Sequence, residues 1–249
     1  MLFYNFFLIF LLFISSLYSQ EYEKNGNRTS WSLGPGIIWQ KSIYKGTKDK
    51  IIPIPVLSVR KGRFSFNGIN TSYSIYKSKK ISYSAGIGLG FSGFSPKDSE
   101  YLSGMREKEF QLNFLNSAEY FLGPYSCGSA LSSDVKDLDK GWGGEVFMSR
   151  RFALANSFLS LKIKGIYESS EKANFNYGVY KNEAVPGRPY YLPGEVLSFG
   201  ADLSFLKRYK KTSVYILISL KELNKKITAS PIVSKKRDLM FLGAYSFNF

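Results

Sequence analysis

The last eleven residues, 239–249, read LMFLGAYSFNF and point to a membrane architecture. Every second residue counted back from the C-terminus is aromatic, aliphatic or glycine: Phe249, Phe247, Tyr245, Gly243, Phe241 and Leu239. An alternation with a period of two is typical of a β-strand that has one apolar face. A strand of about ten residues also crosses a bilayer when it is tilted. The stretch favours the terminal strand of a membrane barrel over the alternative, an edge strand of a soluble β-sandwich.

The amino-acid composition fits such a barrel. The 249 residues include 18 Tyr and 21 Phe, yet the mean hydropathy is slightly negative. In a transmembrane barrel the apolar residues occupy alternate positions, so no long hydrophobic run is needed. The formal net charge of +15 favours contact with anionic surfaces. The single Cys127 excludes an intramolecular disulfide framework.

The N-terminus predicts export. Residues 1–19 are almost wholly apolar and end in a small residue, as a secretory signal peptide does. The alternative is an uncleaved membrane anchor, but the apolar run is short for a spanning helix. We therefore expect a signal peptide at 1–19, a periplasmic N-terminal segment at 20–30 and a barrel at 31–249, in the outer membrane of a Gram-negative cell.

Alternating segments recur along the rest of the chain, at residues 81–91, 110–120, 159–164, 197–205 and 213–220. Alternation alone does not separate a sandwich from a barrel, because the apolar face packs inside one and faces lipid in the other. The connection lengths do separate them. Short turns are predicted at 61–62, 78–80, 122–124, 153–156 and 207–211, and long connections at 42–50, 92–109, 136–142, 168–195 and 222–238.

This regular change between short and long connections is expected of short periplasmic turns and long extracellular loops. It holds if residues 63–77 contain two short strands, 64–67 and 71–76. The prediction is an all-β, antiparallel transmembrane β-barrel of 12 strands. A single strand at 63–77 would give the alternative of 10 strands.

The sequence contains no histidine, which excludes Ser-His-Asp and Cys-His catalysis and histidine zinc sites. The carboxylates in or beside residues 168–195 are interpreted as solvated loop charges. We expect no enzyme activity, no catalytic residue, no cofactor and no metal site. Nucleic acid is not an expected partner, because the basic residues are dispersed and the chain is exported.

Four charged residues are predicted to point into the barrel lumen: Glu119, Lys162, Lys164 and Asp202. In a narrow barrel such groups form a paired plug, and in a wider one they filter ions. We favour the plug. Basic residues of the predicted outer loops could contact outer-membrane lipid and lipopolysaccharide phosphates, or simply be solvated: Lys48, Lys50, Lys97, Arg106, Lys108, Lys181 and Arg188.

Short loop motifs carry a family resemblance across nearly all of the mature chain. In order they include IYKG at 43–46, LSGM at 102–105, NYGV at 176–179, YYLPG at 190–194 and SPIV at 230–233. The chain resembles the MltA-interacting protein/OmpV family of outer-membrane proteins. The motif residues are Tyr44, Gly46, Gly104, Met105, Tyr177, Gly178, Val179, Tyr191, Pro193, Gly194, Ser230, Pro231, Ile232 and Val233.

The resemblance implies a non-catalytic barrel. Some members are scaffolds that link a lytic transglycosylase to a murein synthase, and others are porins or adhesins. The aromatic end, Tyr245, Phe247 and Phe249, is similar to the assembly signal that the barrel assembly machinery reads. The hypothesis is a structural or scaffolding protein of the cell envelope that binds peptidoglycan-remodelling enzymes. The alternatives are a porin-like channel for small solutes with a partly basic lumen, and a surface adhesin.

Overall fold

A computed structural model describes residues 29–90, 93–108, 111–135 and 141–249. The predicted signal peptide at 1–19 and residues 20–28 of the predicted N-terminal segment lie outside the described residues. Of the two described residues of that segment, Thr29 precedes the first strand and Ser30 begins it.

Twelve antiparallel strands in the described ranges form a closed barrel. Each strand pairs with its neighbours in sequence, and the last strand pairs with the first. The strands are β1 Ser30–Gln40, β2 Lys50–Lys61, β3 Phe64–Asn67, β4 Asn70–Lys77, β5 Ile81–Gly90, β6 Gln111–Leu122, β7 Tyr125–Asp134, β8 Trp142–Leu154, β9 Ser157–Glu168, β10 Val196–Arg208, β11 Thr212–Glu222 and β12 Arg237–Asn248. The 12-strand prediction is confirmed, including the β3–β4 hairpin that the 10-strand alternative merges.

The outer surface of the barrel is apolar because the strands alternate as the sequence predicts. In β10, Leu197 and Phe199 are exposed on the outside, whereas Ser198 between them is buried. A polar group on the outer face is satisfied locally: the Tyr83 hydroxyl donates a hydrogen bond of 3.0 Å to Asn116 Oδ1 on the neighbouring strand. The chain thus presents to lipid the surface that a membrane barrel needs.

The β3–β4 hairpin is much shorter than the strands around it. Its pairing with β2 ends at Ser58, so residues 50–57 of β2 extend beyond β3. This free edge contains Pro53 and Pro55, which have no backbone N–H to leave unsatisfied. Proline at an edge also prevents another strand from pairing there.

The connections at the two ends of the barrel differ strongly in length. One end has short turns at 62–63, 78–80, 123–124, 155–156 and 209–211. The other end has long connections at 41–49, 91–110, 135–141, 169–195 and 223–236, and the two-residue link of the short hairpin at 68–69. Every predicted boundary of these connections lies within two residues of the observed one. Both described chain ends lie with the short turns, which is the periplasmic end in barrels of this kind.

The long connections contain the helical elements of the described chain. These are α1 Ser170–Tyr177, the single turn α2 Lys225–Thr228, and the 3₁₀ turns Pro96–Asp98, Glu100–Leu102 and Lys181–Glu183. Among the described residues, no helix is both long and apolar enough to cross a membrane.

Candidate functional site

The long connections pack against one another and form a hydrophobic core at the long-loop end of the barrel. This loop core consists of Ile43, Tyr44, Phe94, Leu102, Met105, Ala173, Tyr177, Val179, Val196, Leu223, Ile227, Ile232 and Val233. Its residues come mainly from the connections 41–49, 91–110, 169–195 and 223–236. Full burial of a large apolar side chain stabilises by about 1.5–3 kcal/mol. The loops at this end are therefore a packed unit.

Helix α1 lies at the centre of the loop core. It begins after Ser169, whose hydroxyl accepts a hydrogen bond of 3.4 Å from the Lys172 N–H, as an N-cap does. The Tyr44 hydroxyl donates to the Asn176 carbonyl at 3.2 Å, and the Ser230 hydroxyl donates to the Tyr177 carbonyl at 2.6 Å. These bonds connect the first and last long loops to the end of α1.

Backbone contacts reinforce the loop core. Isolated β-bridges join Tyr44 to Val233 and Val179 to Tyr191. Gly46 has a φ of +72°, and a Cβ on it would collide with the Ser99 side chain. Glycine is required there on both counts.

Two of the basic residues predicted for the outer loops are buried in the loop core. Lys108 is 1% exposed, and its ammonium group donates to the Gly178 carbonyl at 3.2 Å and lies 5.3 Å from the centre of the Phe94 ring. Arg188 is 2% exposed and donates to the carbonyls of Glu183 and Ser103 at 2.9 and 3.0 Å. The expectation that these two residues contact lipid phosphates or solvent is wrong, because their charges satisfy loop carbonyls instead.

Burial shifts the pKa of several groups in the loop core. The pKa of Lys108 falls to about 8, chiefly through burial, with Arg106 and Arg188 lowering it further and Glu183 acting in the opposite direction. The pKa values of the Tyr44 and Tyr177 hydroxyls are raised, again chiefly by burial. All three groups are thus disfavoured in their charged forms.

The motif residues lie mostly in or against the loop core. Tyr44, Met105, Tyr177, Val179, Ile232 and Val233 belong to it. Gly178, Pro193 and Ser230 are buried as well, while Tyr191 donates to the Lys226 carbonyl at 2.8 Å and the Gly194 N–H donates to Asn174 at 2.9 Å. Gly104 has a φ of +77° in an exposed turn, and Pro231 accepts a hydrogen bond of 3.1 Å from the Tyr101 hydroxyl.

Inside the barrel, charged side chains pair across neighbouring strands. Lys164 lies 2.7 Å from Asp202 Oδ1, and the Ser219 hydroxyl donates to the same oxygen at 2.6 Å. Lys162 lies 4.0 Å from Glu145 and 4.3 Å from the centre of the Phe147 ring. These side chains are largely buried and line the interior wall along β8 to β11, and we call them the lumen ion layer.

Sequence reasoning missed three members of this charged interior. Glu145 lies on β8, whose alternation is weak in the sequence, so its orientation could not be assigned. Glu168 was assigned to a solvated loop but ends β9, and it accepts a hydrogen bond of 3.0 Å from Lys221. Lys221 also approaches the Tyr177 hydroxyl at 3.4 Å and so connects the barrel interior to the loop core.

A cavity of about 910 Å³ lies at the short-turn end of the barrel. Its charged lining residues are Arg60, Arg63, Lys77, Lys79, Lys80, Arg151 and Glu119. Glu119, which the sequence predicts to point into the lumen, lines this basic cavity and is not part of the lumen ion layer. The cavity also includes the turn residues Gly62, Gly123 and Pro124, so it reaches the rim of the barrel.

No group of three or more His, Cys, Asp or Glu residues among the described residues is arranged to hold a metal ion. The carboxylates of the barrel interior lie instead beside lysines, as Asp202 and Glu168 do. These arrangements support charge pairing as the chemistry of the interior.

The C-terminal residue closes the barrel. Phe249 stacks on Trp31 of β1 with ring centres 4.0 Å apart, and its N–H donates to the Trp31 carbonyl at 2.9 Å. Tyr245, Phe247 and Phe249 all point outward and are exposed on the apolar surface. This geometry places the aromatic end of the chain at the junction of the first and last strands.

The closed antiparallel barrel with loops packed at one end agrees with a match to a known family. Residues 33–249 match the model of the family described as MltA-interacting protein MipA. The chain belongs to the MipA family. A relative in the same size class is YiaT of Escherichia coli strain K12, named as an outer-membrane protein, which is 20% identical over 247 residues covering 95% of this chain and 98% of YiaT.

Solved outer-membrane barrels are similar to this MipA-family chain in shape. An outer membrane channel from Pseudomonas putida F1 is 12% identical with a TM-score of 0.44, over 91% of this chain and 98% of the channel. A porin is 8% identical with a TM-score of 0.36, over 89% of this chain and 99% of the porin. The closed barrel and the match to the MipA family show that the chain is an outer-membrane β-barrel, localised to the outer membrane of the cell.

Proposed function

We propose that this MipA-family barrel is a plugged structural protein of the outer membrane, which conducts no solute and binds partners in the cell envelope. The observation that carries the proposal is the packed loop core at the long-loop end of the barrel. The loop core covers that end, and below it Lys164 and Asp202, on the neighbouring strands β9 and β10, pair along the interior wall at 2.7 Å.

The lumen ion layer also fits a structural role. Removing one partner of the Lys164–Asp202 pair would leave the other charge without its partner in a largely buried setting, which costs several kcal/mol. The pair therefore stabilises the interior wall between β9 and β10.

A non-enzymatic role is the other part of the proposal. The chain has no histidine for acid–base catalysis at neutral pH. Its interior carboxylates, Asp202 and Glu168, are engaged by lysines. These ion pairs support a structural role for both carboxylates.

The partners remain part of the proposal as well. The family is named for an interaction with MltA, which makes a peptidoglycan-remodelling enzyme, a lytic transglycosylase or a murein synthase, the favoured protein partner. The apolar outer face supports contact with outer-membrane lipid and lipopolysaccharide, and the aromatic end at Phe249 supports recognition by the barrel assembly machinery. Each short turn has only two or three residues, so a partner must contact the rim of the barrel as a whole.

A channel for small anions is the second candidate function. The basic cavity favours it, because a basic mouth concentrates anions. In that case Lys162 and Lys164 would line the path of the anion through the lumen.

Planar-bilayer recording of the purified protein tests the plug. The wild-type protein is expected to give no steady single-channel current. The variant Tyr44→Ala with Ile232→Ala, which loosens the loop core, is expected to conduct. The variant Lys164→Ala with Asp202→Ala, which changes the lumen wall and leaves the loop core intact, should stay silent. A steady current with anion preference in the wild type would overturn the plug and establish the channel.

A further inference from the structure

The basic cavity at the short-turn end takes no part in the proposed plug. We propose that it is a binding site for a small, water-soluble anion that carries carboxylate or phosphate groups and enters from the periplasm. This inference goes beyond the plugged barrel and does not depend on whether the protein conducts.

The charge of the lining favours an anion. Six of the lining side chains are basic, and Glu119 is the acidic one among the lining residues. Lys79 and Lys80 lie on an exposed turn at the mouth, whereas Arg60 and Arg151 are half-buried deeper in the cavity. A concave wall lined by one sign of charge raises the local concentration of the opposite ion.

The polar lining fits an oxygen-rich ligand. Eight serines line the cavity: Ser65, Ser72, Ser74, Ser78, Ser82, Ser84, Ser126 and Ser149. Two pairs of them are within hydrogen-bond distance, Ser65 with Ser72 at 2.6 Å and Ser126 with Ser149 at 2.7 Å. A hydroxyl can rotate to donate to a carboxylate or phosphate oxygen, and guanidinium groups bind such groups in a bidentate way.

The size and position of the cavity favour a small aqueous ligand. A volume of about 910 Å³ falls within the range of about 300–1,000 Å³ for small-molecule sites. The barrel wall surrounds the cavity, so a lipid headgroup in the membrane would have to bend over the rim of the barrel to reach it. A protein surface would meet the rim but would not fill the concave interior.

The surrounding rim would steer an anion toward the mouth. The short turns 62–63, 78–80, 123–124, 155–156 and 209–211 contain five Lys or Arg residues and no Asp or Glu. Two of these, Lys210 and Lys211, lie on an exposed turn that does not line the cavity. They provide a matched control, because changing them alters the charge of the same face without touching the cavity.

Calorimetric titration of the full-length mature protein in phosphatidylcholine nanodiscs tests the site. Citrate and inorganic pyrophosphate are the probes, and maltose is the neutral comparison. Both anions are expected to bind and maltose is not. The variant Lys79→Gln with Lys80→Gln should weaken binding by about tenfold, at roughly threefold for each exposed charge. The control variant Lys210→Gln with Lys211→Gln should change the dissociation constant less than about twofold.

Equal weakening by both variants would show general attraction to a basic face and would overturn a cavity site. Absence of binding by citrate and pyrophosphate would overturn it too. Repeating the titration in phosphatidylglycerol nanodiscs separates the two sources of phosphate: unchanged affinity supports an aqueous ligand, and loss of citrate binding assigns the cavity to a lipid headgroup. The heat-dependent mobility of each variant in gel electrophoresis confirms that the barrel is folded.

Discussion

Lys108 shows how a single residue makes the loop core sensitive to pH. Its pKa of about 8 in the folded protein lies below the ordinary value of 10.5 because its charged form is buried. Between these two values the unfolded loop binds more protons than the folded one, so folding becomes more favourable as the pH rises. We expect Lys108 alone to add about 2 kcal/mol to the stability of the loop core from pH 8 to pH 10.

The buried tyrosines limit this gain at higher pH. Tyr44 and Tyr177 have pKa values raised above the ordinary value of 10.0, so they keep their protons in the folded state after the unfolded chain has lost them. Stability therefore falls above about pH 10, and the maximum lies between about pH 9 and 10. The midpoint of thermal loss of the near-ultraviolet circular dichroism measures it.

The variant Lys108→Met separates the lysine from other titrating groups. It should flatten the rise between pH 8 and 9.5 and leave the fall above pH 10. Lys97→Met, an exposed change in the same connection, should leave the whole profile as in the wild type. An unchanged rise in the Lys108→Met protein would show that another group causes it.

At the scale of the element, β12 closes the barrel through its last residue. Phe249 stacks on Trp31 and exchanges backbone hydrogen bonds with it, at 2.9 and 3.5 Å. We predict that deletion of Phe249 lowers the amount of barrel in the outer membrane and leaves export intact, as measured by cell fractionation. The substitution Phe249→Tyr keeps the ring and should assemble normally.

The variant Trp31→Ala distinguishes a stacking effect from an assembly signal. Loss of an aromatic pair costs only about 0.5–1.5 kcal/mol beyond the lost burial. If Phe249 is read by the assembly machinery, its deletion should reduce assembly far more than Trp31→Ala does. If deletion of Phe249 and Trp31→Ala lower assembly equally, Phe249 contributes only packing against Trp31 and is not an assembly signal.

The strands were largely predictable because their determinants are local. The alternation of apolar and polar residues in a segment such as β10 predicts which side chains face outward. The length of each connection predicts whether it lies at the periplasmic or the extracellular end of the barrel. Even the short β3 was predicted with its observed bounds, Phe64–Asn67. An extra hairpin was required there to keep short and long connections alternating along the chain. The helices α1 and α2 were not predicted, since short helices in loops have weak sequence patterns.

The contacts within the site were less predictable because they are set by register and by chain segments far apart. Sequence alternation can direct Lys164 inward, but only the β9–β10 register brings it to Asp202. The loop core joins Tyr44 to α1 across 132 residues, and no local signal contains that pairing. The burial of Lys108 could not be read from its charge, which is typical of an exposed residue.

The whole molecule has two unlike ends. The long-loop end is covered by the loop core, in which Tyr44 and Val233 bridge the first and last long connections. The short-turn end opens into the basic cavity and carries the basic rim. A soluble partner in the periplasm meets only the second end, while the first faces the cell exterior. Partner binding should therefore map to the short turns.

Photocrosslinking from the two ends tests that asymmetry. A photoreactive residue at Lys210, on a short turn, should capture a peptidoglycan-remodelling enzyme in living cells, as identified by mass spectrometry. The photoreactive residue placed instead at Tyr190, which is exposed in a long loop, should not capture that enzyme. Because Lys210 lies outside the basic cavity, its substitution leaves the anion site intact. The same adducts from both positions, or capture of assembly machinery alone, would contradict a partner that binds at the periplasmic rim.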